Sequence, residues 1–252
     1  MNLFKRRFVT VRPIAVEGFQ VGCAQWQGMR HEQQDVCGFV EKEPLLAVLA
    51  DGIGGLEDGK EAGRFAVDRV LAAYGDLRPG GNLPACLEAL ADQIDREMAQ
   101  RQKQWGCTLL LVWIEKKQLY WLGAGDSRLY LQRGGRLYQV TQDHTLRNTL
   151  THLALKRPDT VPLMGGGEEL GDLSSYIGSG KLGELDLSRK RFALEPGDKI
   201  ALCSDGVWKA LTTEEISACL QGCPQEAAEK VIRTVQKKEL SGQDNCTILT
   251  IW

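Results

Sequence analysis

The sequence predicts an α+β protein in which antiparallel sheets pack against paired helices. Three observations carry that expectation. Apolar runs of strand length outnumber helical patterns, several runs are joined by two-residue turns, and the helical patterns stand together between strand groups. Single strands alternating with single helices would instead announce a parallel doubly wound sheet.

Taken in order, "FQVGCAQW" (19–26) is the first predicted strand, and Asp35 stands just ahead of another apolar segment. "PLLAVLA" (44–50) reads as a buried strand. In 59–75, Ala62, Phe65, Ala66, Val70 and Ala73 recur at helical spacing, and 83–102 repeats the pattern with Leu87, Leu90, Ile94 and Met98. Strands follow at 107–115, 118–125, 128–134 and 136–141, with Lys116-Lys117 and Gly134-Gly135 as hairpin turns. "DKIALCS" (198–204) and "CTILTIW" (246–252) complete the strands, and helices are expected at 212–220 and 224–238.

Composition narrows the functional classes. The chain has 252 residues, 43% of them hydrophobic and 25% charged, which suits one soluble domain spanning 1–252. There is no linker, repeat or low-complexity tract. A net charge of −2 gives no signature of nucleic-acid binding. The longest apolar runs are too short to span a bilayer, so no transmembrane segment is expected. The basic lead-in (about 1–12), with Lys5, Arg6, Arg7 and Arg12, lacks the apolar stretch of a signal peptide. It reads as a solvated approach to the first strand, with contact to lipid or an acidic partner as the alternative. The eight cysteines form no CxxC pair and have no His at zinc-finger spacing, although Cys219 and Cys223 flank a helix end. Free cysteines in apolar stretches fit a reducing cytoplasm.

Two strands end in the same unusual way. "LLAVLADG" finishes on Asp51-Gly52 and "IALCSDG" on Asp205-Gly206. Either pair alone is most simply a turn. Two of them suggest that both strands deliver a carboxylate to one place, with Asp35, Asp126 and Asp244 also standing at the ends of apolar segments. Clustered carboxylates repel unless a cation stands between them, and hard divalent ions such as Mg²⁺ or Mn²⁺ prefer oxygen donors. Two such ions would activate water and polarise a phosphoryl oxygen, and Arg30 could hold a phosphate with its planar fork.

The ordered set "R-H-E-Q-Q-D", "A-D-G-I-G-G", "G-C-T", "G-D-S-R", "T-Q-D-H", "S-D-G-V-W" and "Q-D-N" resembles the metal-dependent serine/threonine protein phosphatases, the PPM or type 2C family. The likeness runs from about Gly22 to the C-terminus and suggests a bacterial-type catalytic domain. It implies a four-layer αββα sandwich of two mainly antiparallel sheets flanked by paired helices. It also implies hydrolysis of phosphoserine and phosphothreonine by a water bridging two Mn²⁺ or Mg²⁺ ions. On this resemblance Asp51 bridges the ions, Gly52 offers a backbone carbonyl, Asp205 and Asp244 complete one site, and Asp35 acts directly or through water. Arg30 matches the phosphate-binding arginine, and Asp126 matches an aspartate that helps hold a third metal in some members. Thr108, Ser127, Asp143 and His144 match motif positions with packing and hydrogen-bonding roles.

The chain departs from the family pattern at named positions. Gln33 and Gln34 replace the Asn and Glu before Asp35, so Gln34 contributes an amide near metal-bound water where relatives have a charge. Ile53 stands where some eukaryotic members carry a histidine proposed as general acid. Lys209 replaces an acid that supports the third metal, and its charge disfavours an ion there. Residues from about 146 to 175 align with the family's variable flap, in which Gly165-Gly166-Gly167 suggests either a mobile loop or a plain surface connection. The expected partner is a phosphorylated protein, with a cognate Ser/Thr kinase by analogy, and a monomer is favoured. The alternative function is a weakly active or inactive relative that binds phosphoprotein or a regulatory partner. A third reading keeps the chemistry and acts on a small phosphoester.

Overall fold

The computed structural model describes residues 18–53, 58–77, 82–101, 104–156 and 172–252. The basic lead-in and the Gly165–Gly167 stretch of the expected flap lie outside the described residues.

Two sheets form the centre. The first runs β1 (Val21–Trp26), β11 (Cys246–Ile251), β10 (Lys199–Cys203), β6 (Arg128–Arg133), β7 (Arg136–Gln139). The second runs β2 (Asp35–Val40), β3 (Leu45–Asp51), β4 (Leu109–Glu115), β5 (Gln118–Ala124), β8 (Asp186–Leu187), with β9 (Phe192–Ala193) also paired to β5. Every recorded strand pair is antiparallel.

Each sheet is covered on both faces, which explains the unbroken apolar runs. Along β3, Leu45, Ala47 and Leu49 pack between the sheets, whereas Leu46, Val48 and Ala50 face the helices α1 (Gly59–Ala72) and α2 (Leu83–Ala99). β4 divides in the same way, with Leu110, Val112 and Ile114 inward and Leu109, Leu111 and Trp113 outward. On the other side, Ala201, Cys203, Cys246 and Ile248 meet α5 (Thr213–Cys219) and α6 (Pro224–Lys237). The layers are therefore helix, sheet, sheet, helix. Burying each large aliphatic side chain contributes about 1.5–3 kcal/mol.

The sequence-predicted strands and helices are present, with ends shifted by a few residues. Lys116 and Lys117 turn the β4–β5 hairpin at φ 48° and 61°, and Gly134 and Gly135 turn the next. Four elements go beyond the sequence reading: β8, β9, the flap helix α3 (Leu146–Lys156) and the single turn α4 (Asp205–Trp208). β2 is a full strand that the sequence marks only as an apolar segment. Cys219 is buried with its Sγ near the Thr234 hydroxyl, while Cys223 is exposed ahead of α6, so the two do not form a metal pair.

Antiparallel pairing brings the ends of β3, β5 and β10 to the same edge of the sandwich as the starts of β2, β4, β6 and β11. The chain crosses between sheets twice at this edge, at 27–34 and at 125–127. α6 closes the opposite face against β1, where a Cβ on Gly22 would lie 2.3 Å from the Pro224 carbonyl carbon. Backbone cannot yield as a flexible side chain can. Gly22→Ala is therefore expected to destabilise the fold by about 1–3 kcal/mol or more, read as a lower urea midpoint with an unchanged m-value.

Candidate active site

The edge described above holds a cavity of about 560 Å³ whose walls include Arg30, Asp51, Asp126, Asp205, Lys209 and Asp244. Asp51 ends β3 and continues its inward alternation after Leu49. Its cross-strand partner in the β2–β3 ladder is Asp35. Asp35 is only 4% exposed and does not line the cavity, so it stands behind Asp51 rather than beside it. The Ser204 hydroxyl donates to Asp35 Oδ2 at 2.8 Å, while Oδ1 is buried without a partner.

The two Asp-Gly sites are not turns. Gly52 bridges to Cys107, and a Cβ there would meet the Gly59 carbonyl oxygen at 2.3 Å. Glycine is required because α1 begins against the backbone at this point. Asp205 opens α4, and a Cβ on Gly206 would approach the Asn245 carbonyl oxygen to 2.0 Å. Both glycines admit neighbouring backbone.

Two cations face this cluster. Arg30 Nη2 donates to Asp244 Oδ2 at 2.7 Å, with 54% of the arginine side chain exposed. Lys209 Nζ donates to Asp205 Oδ2 at 2.6 Å. Arg30 is held above its ordinary pKa by the Asp244 hydrogen bond and charge. Burial opposes the Lys209 charge, but Asp205, Asp126 and Asp244 hold its pKa up.

The carboxylates are out of balance all the same. Burial pushes Asp35 up to about 7, against the hydroxyls of Thr247 and Ser204, which favour its ionised form. Burial, followed by the charges of Asp35, Asp205, Asp126 and Asp244, pushes Asp51 well up. Asp126 rises to about 7 through burial and Asp205, with Lys209 pulling the other way. All these donors are hard oxygens, and the Asp35 Oδ1 atom has no hydrogen-bond donor. The residue types thus fit divalent Mg²⁺ or Mn²⁺ at Asp51, with Asp205, Asp244, Gln34 and Gly52 lining the same cavity. Among the described residues, no three Asp, Glu, His or Cys side chains stand grouped as ligands. Asp205 and Asp244 are turned to Lys209 and Arg30, and rotamer changes would be needed to free them.

The supporting residues are tightly bonded. Thr108 Oγ1 accepts from the Asp51 amide at 2.9 Å and contacts the Ser127 hydroxyl at 3.0 Å. Asp143 clamps Arg128, whose guanidinium lies 3.5 Å from the centre of the Trp208 ring. Trp208 Nε1 in turn donates to the Asp126 carbonyl, and His144 Nδ1 accepts from the Gly125 amide. Gln34 and Ile53 line the cavity.

Sequence reasoning missed three contributors. Asn245 donates to the Gln27 and Glu32 carbonyls and accepts from the Gln34 amide, fixing the loop that carries Arg30. Its signal was present in "Q-D-N". Ser204, within "C-S-D-G", links Asp35 to the β11 amide of Thr247. Tyr176, just beyond the expected flap, lines the cavity together with Asp172 and Leu173 and has no local sequence signal.

The family model described as Protein phosphatase 2C matches residues 30–243, and the chain belongs to that family. It is 31% identical over 214 residues to the serine/threonine protein phosphatase PstP of Mycobacterium tuberculosis, covering 81% of this chain and 39% of that protein. It is 23% identical over 236 residues to the serine/threonine phosphatase stp of Listeria innocua, covering 88% and 91%. A probable protein phosphatase 2C of Arabidopsis thaliana is 29% identical, and the match covers 58% of its length. The chain thus spans well under two thirds of some relatives and nearly all of others. Among solved structures, the PstP catalytic domain in complex with two manganese ions superposes with a TM-score of 0.74 at 26% identity, covering 93% of this chain and 97% of that one. PppA of Pseudomonas aeruginosa superposes at 0.75 with 24% identity, covering 94% and 98%, a likeness of fold. No helix among the described residues is long and apolar enough to cross a membrane.

The raised carboxylates make stability depend on pH. Asp35 and Asp126 bind protons more tightly folded, at about 7, than at the ordinary Asp value of 3.8. Their contribution is complete below about 3.8 and is lost as pH rises through about 7. In EDTA, the urea midpoint should fall across that window, and Mn²⁺ should restore more of it at the alkaline end. Asp51→Asn should stabilise the EDTA-treated protein and forfeit most of the gain from Mn²⁺. A flat profile in EDTA would contradict this electrostatic reading.

Proposed function

We propose that this chain hydrolyses phosphoserine and phosphothreonine in proteins, with two Mn²⁺ or Mg²⁺ ions as cofactors. The observation that carries the reading is Asp51 at the cavity wall, backed by Asp35 and flanked by Asp205 and Asp244, with an exposed arginine at the rim. Divalent cations, when bound, lower the pKa of water toward neutrality and polarise phosphoryl oxygens.

The chain's own residues supply the rest. Asp51, Asp205, Asp244 and the Gly52 carbonyl would hold the cations, and Asp35 would support Asp51 from behind, with Ser204 and Thr247 favouring its ionised form against burial. Arg30 would exchange Asp244 for the substrate phosphate, which its planar fork can grip with two parallel hydrogen bonds. Asn245 keeps that arginine's loop in place. Ile53 offers no proton at the position where some relatives carry histidine, so the leaving oxygen must take its proton from water. Lys209 occupies Asp205 and faces Asp126, so a third metal is disfavoured. Leu173 and Tyr176 would meet the substrate chain beside the phosphate. A serine/threonine kinase would supply such substrates.

One observation favours the second reading, a weakly active module that binds phosphoprotein. Arg30 and Lys209 already neutralise Asp244 and Asp205, which lowers the drive to bind a metal. A small phosphoester as substrate would leave the same core in place.

The test is phosphate release from a phosphothreonine peptide across a Mn²⁺ titration. Activity should require the ion, and Asp205→Asn at limiting Mn²⁺ should lose more than the roughly 10–100-fold that supporting residues cost. Near-wild-type turnover in that variant would sink the assignment. Gln34→Glu should move the midpoint of the titration to lower Mn²⁺, because it adds a charge to the cavity wall.

A further inference from the structure

Away from the carboxylate cluster, two thiols face one another across the sandwich. The Sγ atoms of Cys23 and Cys37 lie 3.0 Å apart. Cys23 is on β1 and Cys37 on β2, and these are the edge strands of the two different sheets. Both side chains pack against the core layer between the sheets, at its margin, where each residue stays partly exposed.

Their backbones are held independently of the sulfurs. The Gln225 side chain accepts from the Cys23 amide at 3.0 Å and donates to the Cys23 carbonyl at 3.1 Å. Cys37 is registered opposite Leu49 in the β2–β3 ladder. Sheet packing thus brings the thiols together without help from a bond between them. A disulfide has its sulfurs about 2.05 Å apart, so closure asks for a movement of only about 1 Å shared between two side chains.

We propose that Cys23 and Cys37 are a disulfide-forming pair, oxidised by a low-molecular-weight disulfide, that clamps the two sheets at their open edge. In the first step one of the two thiols, as thiolate, attacks the small disulfide, forming a mixed disulfide and expelling one small thiol. The second cysteine then attacks the protein sulfur of that mixed disulfide and expels the other small thiol. Two protein S–H bonds and one external S–S bond become one protein S–S bond and two external S–H bonds. Two electrons pass to the small disulfide. The closed loop, whose ends are 14 positions apart, contains Arg30 and Asp35, so oxidation tethers the segment that carries them. Cross-linking this loop removes freedom from the unfolded chain and raises stability.

The test uses the reduced chain, equilibrated with mixtures of glutathione and glutathione disulfide, then quenched, unfolded, alkylated and mapped by mass spectrometry. The expected product is the Cys23 peptide joined to the Cys37 peptide, two hydrogens lighter than the separate pair and reversed by dithiothreitol. Exposed Cys86 and Cys223 serve as internal references, since each should instead gain a glutathione. The oxidised chain should melt several degrees above the reduced one, and Cys23→Ser should abolish that difference. The peptide map needs no variant, so a misfolded Cys23→Ser leaves it intact. The proposal is overturned by free or singly glutathionylated Cys23 and Cys37 at ratios that saturate Cys86 and Cys223. Linkage of either to another cysteine, linkage only after unfolding, or a lower melting temperature on oxidation would overturn it equally.

Discussion

The repulsion between Asp35 and Asp51 is the constraint around which the rest of this end of the molecule is arranged. The β2–β3 ladder sets them opposite one another, one buried and one at the cavity wall. Two carboxylates cannot both be ionised there at low cost unless hydroxyls, cations or metal ions compensate them. The structure shows the first two kinds of compensation. Ser204 and Thr247 face Asp35, while Lys209 and Arg30 hold the neighbouring Asp205 and Asp244. Asp51 is left with burial and four like charges against it, which makes it the natural seat for a divalent ion.

That strain is sustained by the most deeply buried part of the fold. β3 and β4 are covered on both faces, and their inward and outward side chains belong to separate core layers. A strand anchored in this way can end on a charged group without fraying. The supporting residues fix the other side. Asn245 ties together three backbone groups of the Arg30 loop, and Gly52 and Gly206 let backbone approach so closely that any side chain would displace it. Site and scaffold are thus one construction, with the crossings between sheets carrying Arg30 and Asp126.

Much of this was legible in the sequence because its signals are local. Apolar runs bounded by Lys116-Lys117 and Gly134-Gly135 marked the hairpins, and the 3.6-residue periodicity marked α1 and α2. The repeated Asp-Gly ending singled out Asp51 and Asp205, and motif order added Arg30, Asp35 and Asp244. What escaped depends on tertiary contacts. β2 carries Gly38 where α1 passes over it, with Leu71 and Val67 close to where a Cβ would stand. α4 is a single turn, too short to show a period. The burial of Asp35 behind Asp51, and the capture of Asp205 by Lys209, depend on side-chain directions that sequence spacing does not encode. Tyr176 reaches the cavity from a segment remote from every motif.

The measurement that bears most directly on the account is anomalous diffraction at the manganese edge from crystals grown with Mn²⁺. The account predicts Mn²⁺ bound to the Asp51 carboxylate, with Asp205 turned away from Lys209 and Asp244 away from Arg30 to join the coordination. Manganese absent from Asp51 at saturating concentration, with both ion pairs intact, would contradict it.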